Sequence, residues 1–387
     1  MSRVIVSGAI ANRCRSGGEA WVRLNWVLGL RRLGCEVYFI EEIERNNCLD
    51  SSGEVTEFEN SLNRRYFDSV VRQSDLSESA ALVYEGGEST SGLSYAELLD
   101  LAEVSDLLVN ISGHLTLEPL MRRLRRKTYI DVDPGFTQFW HAAGNAGARL
   151  AGHDYYFTVG ENIGTPACRV PTGGLQWRAI RPPIVLNEWP MVNERDGSRF
   201  TTVATWRSPY GPIQHEGKTL GLKLHEFRKF IGMPERSPHT FEIALDIHPA
   251  DGRDLQALRS HGWQIADPRA VAGDPSAFRR YVQCSGAEFS VAQGVYVETR
   301  LGWFSDRTAA YLASGKPALL QDTGFSRNYP VGEGLIPFTT LEQALDGAGR
   351  IARDYEQHAS AARSLAEEYF DSDRVLERFL AEVGLGA

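Results

Sequence analysis

The sequence predicts an α/β protein built as two doubly wound domains facing each other across a cleft. Three observations carry that expectation. The 387 residues exceed the ~250–300 at which a single hydrophobic core stops growing. Short β-branched runs alternate with segments of helical periodicity, the pattern of parallel strands joined by right-handed crossovers. The alternation halts at RAIRPPIVLNEWP (178–190), where Pro182, Pro183 and Pro190 each lack an amide donor, and then starts afresh. The expected division is a first domain over 1–180, a linker over 181–198, a second domain over 199–365 and a tail over 366–387.

In chain order, RVIVSGAI is an apolar run ending in glycine and is expected as the first strand. EAWVRLNWVLGLRRLG has helical spacing and is stopped by Gly34, and EVYFIEEI gives the next strand. SYAELLDLAEV then reads as helix, and DLLVNIS, KTYIDVD and YYFTVG as strands. The polar stretch 51–95 reads as helix plus an irregular insertion. In the second half FTTVATW, TFEIALDI, WQIADP, AEFSVA and PALLQD are the expected strands. LKLHEFRKFI, DLQALRSHG, PSAFRRYVQCS and a segment starting at Ser305 are the expected helices between them. The tail from 341 onward is almost wholly helix-forming, so its helices are expected to cross back onto the first domain.

Composition narrows the function. Lys and Arg number 41 against 50 Asp and Glu, a formal charge of −9, which argues against a nucleic-acid partner. MRRLRRK (121–127) is a local basic cluster that suits the end of a helix. The five cysteines contain no CxxC or Cys/His metal spacing, as expected of a reduced cytoplasmic protein. No apolar run reaches the ~20 residues of a membrane helix, and the N-terminal apolar run is short for a signal peptide.

Ligands of doubly wound sheets bind beyond the carboxyl ends of the strands, so the loops there hold the candidate site residues. GWFSDRTAAYLASGKPALLQDTG (302–324) opens a helix with Ser305 at the cap position and Asp306 in the first turn. GVYVETRLGWF is expected as a loop presenting Glu298, Arg300 and Gly302 just before that helix. A glycine-bearing loop feeding a helix start suits an anion, with Arg300 or Arg307 on phosphates and Asp306 on sugar hydroxyls. Gly17 and Gly18 open the first helix after the first strand; such a pair is either a tight turn or a close backbone approach to a ligand. NISGHL offers His114, and IDVDPGFTQFWH offers Asp133 and His141, as general bases or as structural hydrogen-bonders. LDIHPADG, with one histidine and two aspartates, lacks a metal-ligand set, and no metal site is expected.

LASGKPALLQDTG after its helix resembles the C-terminal donor domain of GT-B glycosyltransferases of the group-1 type, which have two Rossmann-like domains. Glu298 and Asp306 have the spacing of that family's acidic pair, with Ala310 where the second glutamate usually stands. In TWRSPYGPIQHEGKTLG, Arg207 and Lys218 are similar to the arginine and lysine that hold the donor diphosphate, and GENIG (160–164) is similar to the exit from the first domain. The resemblance implies a metal-independent transferase without a resident cofactor. It would move a sugar from a nucleotide diphosphate sugar, bound by 199–365, to a small-molecule or glycan acceptor bound by 1–180. A nucleotide-sugar 2-epimerase or coupling enzyme on the same fold, and a non-catalytic nucleotide- or phosphosugar-binding protein, are the alternatives.

Overall fold

The computed structural model describes residues 1–192, 197–208 and 210–386. Residues 193–196 of the expected linker, position 209 and the last residue of the expected tail lie outside the described residues. The first sheet contains β1 (Arg3–Ser7), β2 (Glu36–Ile43), β3 (Ala80–Tyr84), β4 (Ser89–Gly92), β5 (Leu107–Ile111), β6 (Lys127–Asp131), β7 (Tyr155–Thr158) and β8 (Trp177–Ala179). Their order is β4-β3-β2-β1-β5-β6-β7-β8, parallel except for the edge strand β4. The chain reverses direction of build-up at β1, so the loops after β1 and β5 flank the switch point where such sheets take ligands.

After the linker come β9 (Arg199–Thr205), a small hairpin of β10 (Ile213–His215) and β11 (Lys218–Leu220), and then β12 (Thr240–Asp246), β13 (Gln264–Ala266), β14 (Ala287–Ser290), β15 (Ala318–Gln321) and β16 (Leu335–Phe338). The second sheet runs β13-β12-β9-β14-β15-β16, all parallel. Strands buried on both faces need continuous apolar sequence, and β5 (LLVNI) is buried at every position.

One apolar core runs from β1 and the Gly17–Arg32 helix into the Asp306–Ala313 helix of the second domain. The contact across the domains is tight at Gly17, where a Cβ would lie 2.0 Å from the Asp274 carbonyl oxygen. On the other side Asn162 stitches the domains: its amide nitrogen donates to the Arg300 and Gly324 carbonyls at 2.9 and 3.3 Å. The Ser372–Glu382 helix lies on the first domain, with Leu376 against Gly29, Trp26 and Phe379 rings 5.1 Å apart, and an Arg32–Asp373 ion pair at 2.8 Å. No helix among the described residues is long and apolar enough to cross a membrane.

The structure corrects several local expectations. The insertion within 51–95 contains the strands β3 and β4, joined through Gly86 and Gly87 at positive φ. The stretch between Arg207 and Lys218 folds into the β10–β11 hairpin, because Glu216 and Gly217 both take positive φ, as a two-residue type I′ turn requires. The expected loop before Ser305 is in part a helix, Gly294–Thr299, which includes Glu298; Gly294 is packed so closely on Gly221 that a Cβ would lie 2.8 Å from it. The helix expected over 222–231 is α-helical only across Lys223–Phe227 and tightens into a 3-10 turn through Phe230.

Candidate active site

A cleft of about 1350 Å³ opens between the two sheets. It exceeds the ~300–1,000 Å³ of common small-molecule sites, so it has room for a ligand in two parts.

Its first wall is made by three loops following β1, β5 and β6, each organised by a carboxylate that accepts backbone or side-chain donors. Glu41, buried at the end of β2, accepts the amides of Ile10, Ala11 and Asn12 at 2.8 Å and the Asn12 side chain at 2.9 Å. Burial pushes its pKa up while these donors pull it down. The fixed loop presents Arg13, Arg15 and Gly18 to the cleft. Glu42 accepts the Leu117 amide at 2.9 Å and the Thr116 hydroxyl at 3.1 Å, which holds the loop that carries His114. Asp131 accepts from Thr137, Gln138 and Thr158 at 2.7–2.8 Å. Those contacts fix the turn after β6, whose next carboxylate, Asp133, faces the cleft.

The titration of these groups separates them. Burial, then the charges of Glu19 and Asp131, raises Asp133 to about 7. Burial, then Arg23, Arg149 and Arg13, lowers His114 to about 3. A group that holds a proton near neutrality can take one from a hydroxyl and release it, whereas an imidazole titrating near 3 is a weak proton acceptor.

The second wall centres on the start of the Asp306–Ala313 helix. Ser305 has the extended backbone of a cap residue, yet its side chain makes no cap hydrogen bond, and the Asp306 amide is met by its own carboxylate. Asp306 in that turn is raised to about 6 by burial and Glu19, against the pull of Arg307. Arg307 is anchored from beneath: it bonds the fully buried Glu288 at 2.7 Å, the Val203 carbonyl at 2.8 Å and the Ser290 hydroxyl at 2.6 Å. Beside it Lys223, at the start of its short helix, is lowered to about 7 by burial and by Arg307.

The predicted residues divide accordingly. Gly18, His114, Asp133, Ser305, Asp306 and Arg307 line the one cleft. Gly17 instead seats the helix on the Asp274 backbone, and His141 turns away onto Gly173, where a Cβ would lie 2.2 Å from its ring. Arg207 is exposed and held in a two-bonded ion pair by Asp251, at 2.6 and 2.8 Å. Lys218 is carried outward on β11. Glu298 is exposed and accepts the Gly221 amide at 3.3 Å, while Arg300 pairs with Asp322 at 2.9 Å. Gly302, at φ +80°, packs against Asn162, 2.8 Å from a would-be Cβ. The structure adds Lys223, Arg13, Arg23 and Arg149, which the sequence reading did not single out. Lys223 lies five residues beyond Lys218, after the hairpin. The stretch ANRCRSGG held a visible signal, two arginines, Arg13 and Arg15, ahead of the glycine pair.

No protein-family profile matches the sequence, and no curated protein matches it. Solved structures do. An alpha-glucosyltransferase in complex with UDP superposes with a TM-score of 0.60 at 12% identity, over 99% of this chain and 100% of that one. HepE (Alr3699) of Anabaena in complex with UDP-glucose gives 0.59 at 10% identity, over 99% and 100%. A sucrose-phosphate synthase from Thermosynechococcus elongatus gives 0.54 at 11% identity, over 99% and 100%. Matched end to end with glycosyltransferases of that architecture, the chain has the GT-B fold, two Rossmann-like domains facing across a cleft.

Proposed function

We propose that this protein is a metal-independent glycosyltransferase that moves a sugar from a nucleotide diphosphate sugar to an acceptor hydroxyl. One observation carries the reading: a helix start without a side-chain cap from Ser305, flanked by Lys223 and Arg307, shares a cleft with a carboxylate, Asp133, that titrates near 7. Neighbours of the same fold bound to UDP and UDP-glucose support it.

In this reading the acceptor hydroxyl gives its proton to Asp133 as its oxygen bonds the anomeric carbon. The bond from that carbon to the diphosphate oxygen breaks, and the electron pair leaves with the diphosphate. Negative charge therefore grows beside Lys223, Arg307 and the first-turn amides of the Asp306–Ala313 helix, where fixed cations and dipoles stabilise it most. A diphosphate would also draw a proton onto Lys223, because an adjacent anion favours the ammonium. Asp306 would accept hydroxyls of the donor sugar. His114, unprotonated, would serve as a hydrogen-bonding group and not as the base. The five cysteines are all free, which fits a reducing compartment such as the cytoplasm.

Titrating the protein with nucleoside diphosphates and nucleotide sugars, with and without chelator, tests this directly. A selective rise in thermal midpoint that chelation leaves intact is expected, since a ligand at ~100 times its Kd stabilises by about 2.7 kcal/mol. Product masses then separate transfer from epimerisation, which needs no acceptor, and from binding without turnover. No shift with any nucleotide would remove the donor site.

A further inference from the structure

Four arginines of the first wall, Arg13, Arg15, Arg23 and Arg149, line the cleft, and of these only Arg23 forms an ion pair among the described residues. Arg23 is 3% exposed and reaches Glu19, yet its Nε has no hydrogen-bond partner among the described residues. Glu42 is occupied by the backbone of the loop after β5. Arg13 and Arg149 come from separate segments, line the same cleft, and form no ion pair among the described residues, although Arg13 bonds the Tyr210 hydroxyl and its charge acts on Glu19. Both act on His114 together with Arg23.

Arg149 is placed there at a conformational cost. Its φ is +52°, a region L-residues rarely occupy, and its Cβ packs over Gly113 in the His114 loop. Arginine is suited to phosphate and carboxylate because its planar donors engage two oxygens at once. The donor diphosphate already has its cations on the opposite wall, in Lys223 and Arg307.

Resting on the glycosyl-transfer reading above, we infer that the acceptor is anionic, a hydroxylated small molecule bearing a phosphate or carboxylate group. Arg13 and Arg149 hold that group beside His114 while the hydroxyl to be glycosylated points to Asp133. Three further carboxylates of this wall, Glu44, Asp50 and Glu85, repel an anion from their part of it.

The test has two steps that separate the two readings. The protein is first saturated with the nucleoside diphosphate that raises its thermal midpoint; failure here rejects the donor site itself. Hexose monophosphates, hexuronic acids and neutral hexoses are then added to the nucleotide-bound protein. At least one anionic compound is expected to raise the midpoint further and the neutral hexoses are not, and phosphate against carboxylate is decided by which series responds. Arg149→Gln, a change at an exposed position, should abolish the second shift while changing the nucleoside diphosphate Kd less than twofold. No second shift from any anionic compound overturns the inference. An equal response to neutral hexoses overturns it too, as does an Arg149→Gln protein that loses nucleotide affinity, because the arginine would then belong to the donor.

Discussion

The two walls of the cleft position charged side chains by opposite means. On the first, buried Glu41 and Asp131 accept hydrogen bonds from loop donors and form no ion pair among the described residues, and Arg13, Arg149 and Asp133 line the cleft without an ion pair to them. On the second, the cation itself is anchored: Arg307 is bonded to buried Glu288 and to a strand carbonyl. A functional group supported from behind can be removed without loss of structure, whereas one that neutralises a buried charge serves fold and site together. The contrast predicts which substitutions silence the protein and which unfold it.

The largest effect is expected at Asp133. Asp133→Asn should lower kcat about 10²–10⁴-fold, the usual contribution of a positioned base, with little change in unfolding midpoint; near-normal turnover would exclude it as the base. In the parent protein the rate should rise with pH through about 7 as Asp133 loses its proton. Arg307→Ala is expected to destabilise the fold by about 3–5 kcal/mol in denaturant titration, because it strands Glu288 as an uncompensated buried charge. A stable Arg307→Ala protein would erase the difference between the walls.

Lys223→Met should weaken nucleoside diphosphate binding by about 1.5–3 kcal/mol, roughly ten- to hundredfold in Kd by calorimetry. Its stability effect runs the other way. The folded chain holds Lys223 near 7 against ~10.4 unfolded, so between these values the unfolded chain binds the extra proton and stability rises with pH. Below 7 the penalty is complete, and Lys223→Met should therefore gain most there and nothing above about 10.5. The smallest effect is assigned to Glu19→Gln: Glu19 is the leading charge that raises both Asp133 and Asp306, so its removal should move the pH–rate midpoint toward acid. An unmoved midpoint would detach Glu19 from the site.

The helix start at Ser305–Arg307 and the DVD turn at Asp133 were legible because each is a strand-end loop with a local signature. Arg207 and Lys218 were misplaced relative to the cleft for a reason that is also local: Glu216-Gly217 turns the chain into a hairpin and sends Lys218 outward. Whether Arg207 faces a ligand or Asp251 depends on a residue 44 positions away, which spacing does not reveal. Arg149 gave no signal, since nothing in AGNAGARLAG announces a left-handed arginine resting on Gly113.

By itself the sequence determined the alternation of strands and helices, the break at the prolines and the start of a helix after Ser305, though not the side-chain cap expected there, because periodicity and missing amide donors act over a few residues. Only the tertiary structure decided which charges meet across the cleft and how Asp133, His114 and Lys223 titrate. Burial and Coulomb interactions join groups hundreds of residues apart, and their strength depends on the low-dielectric space that two packed domains create.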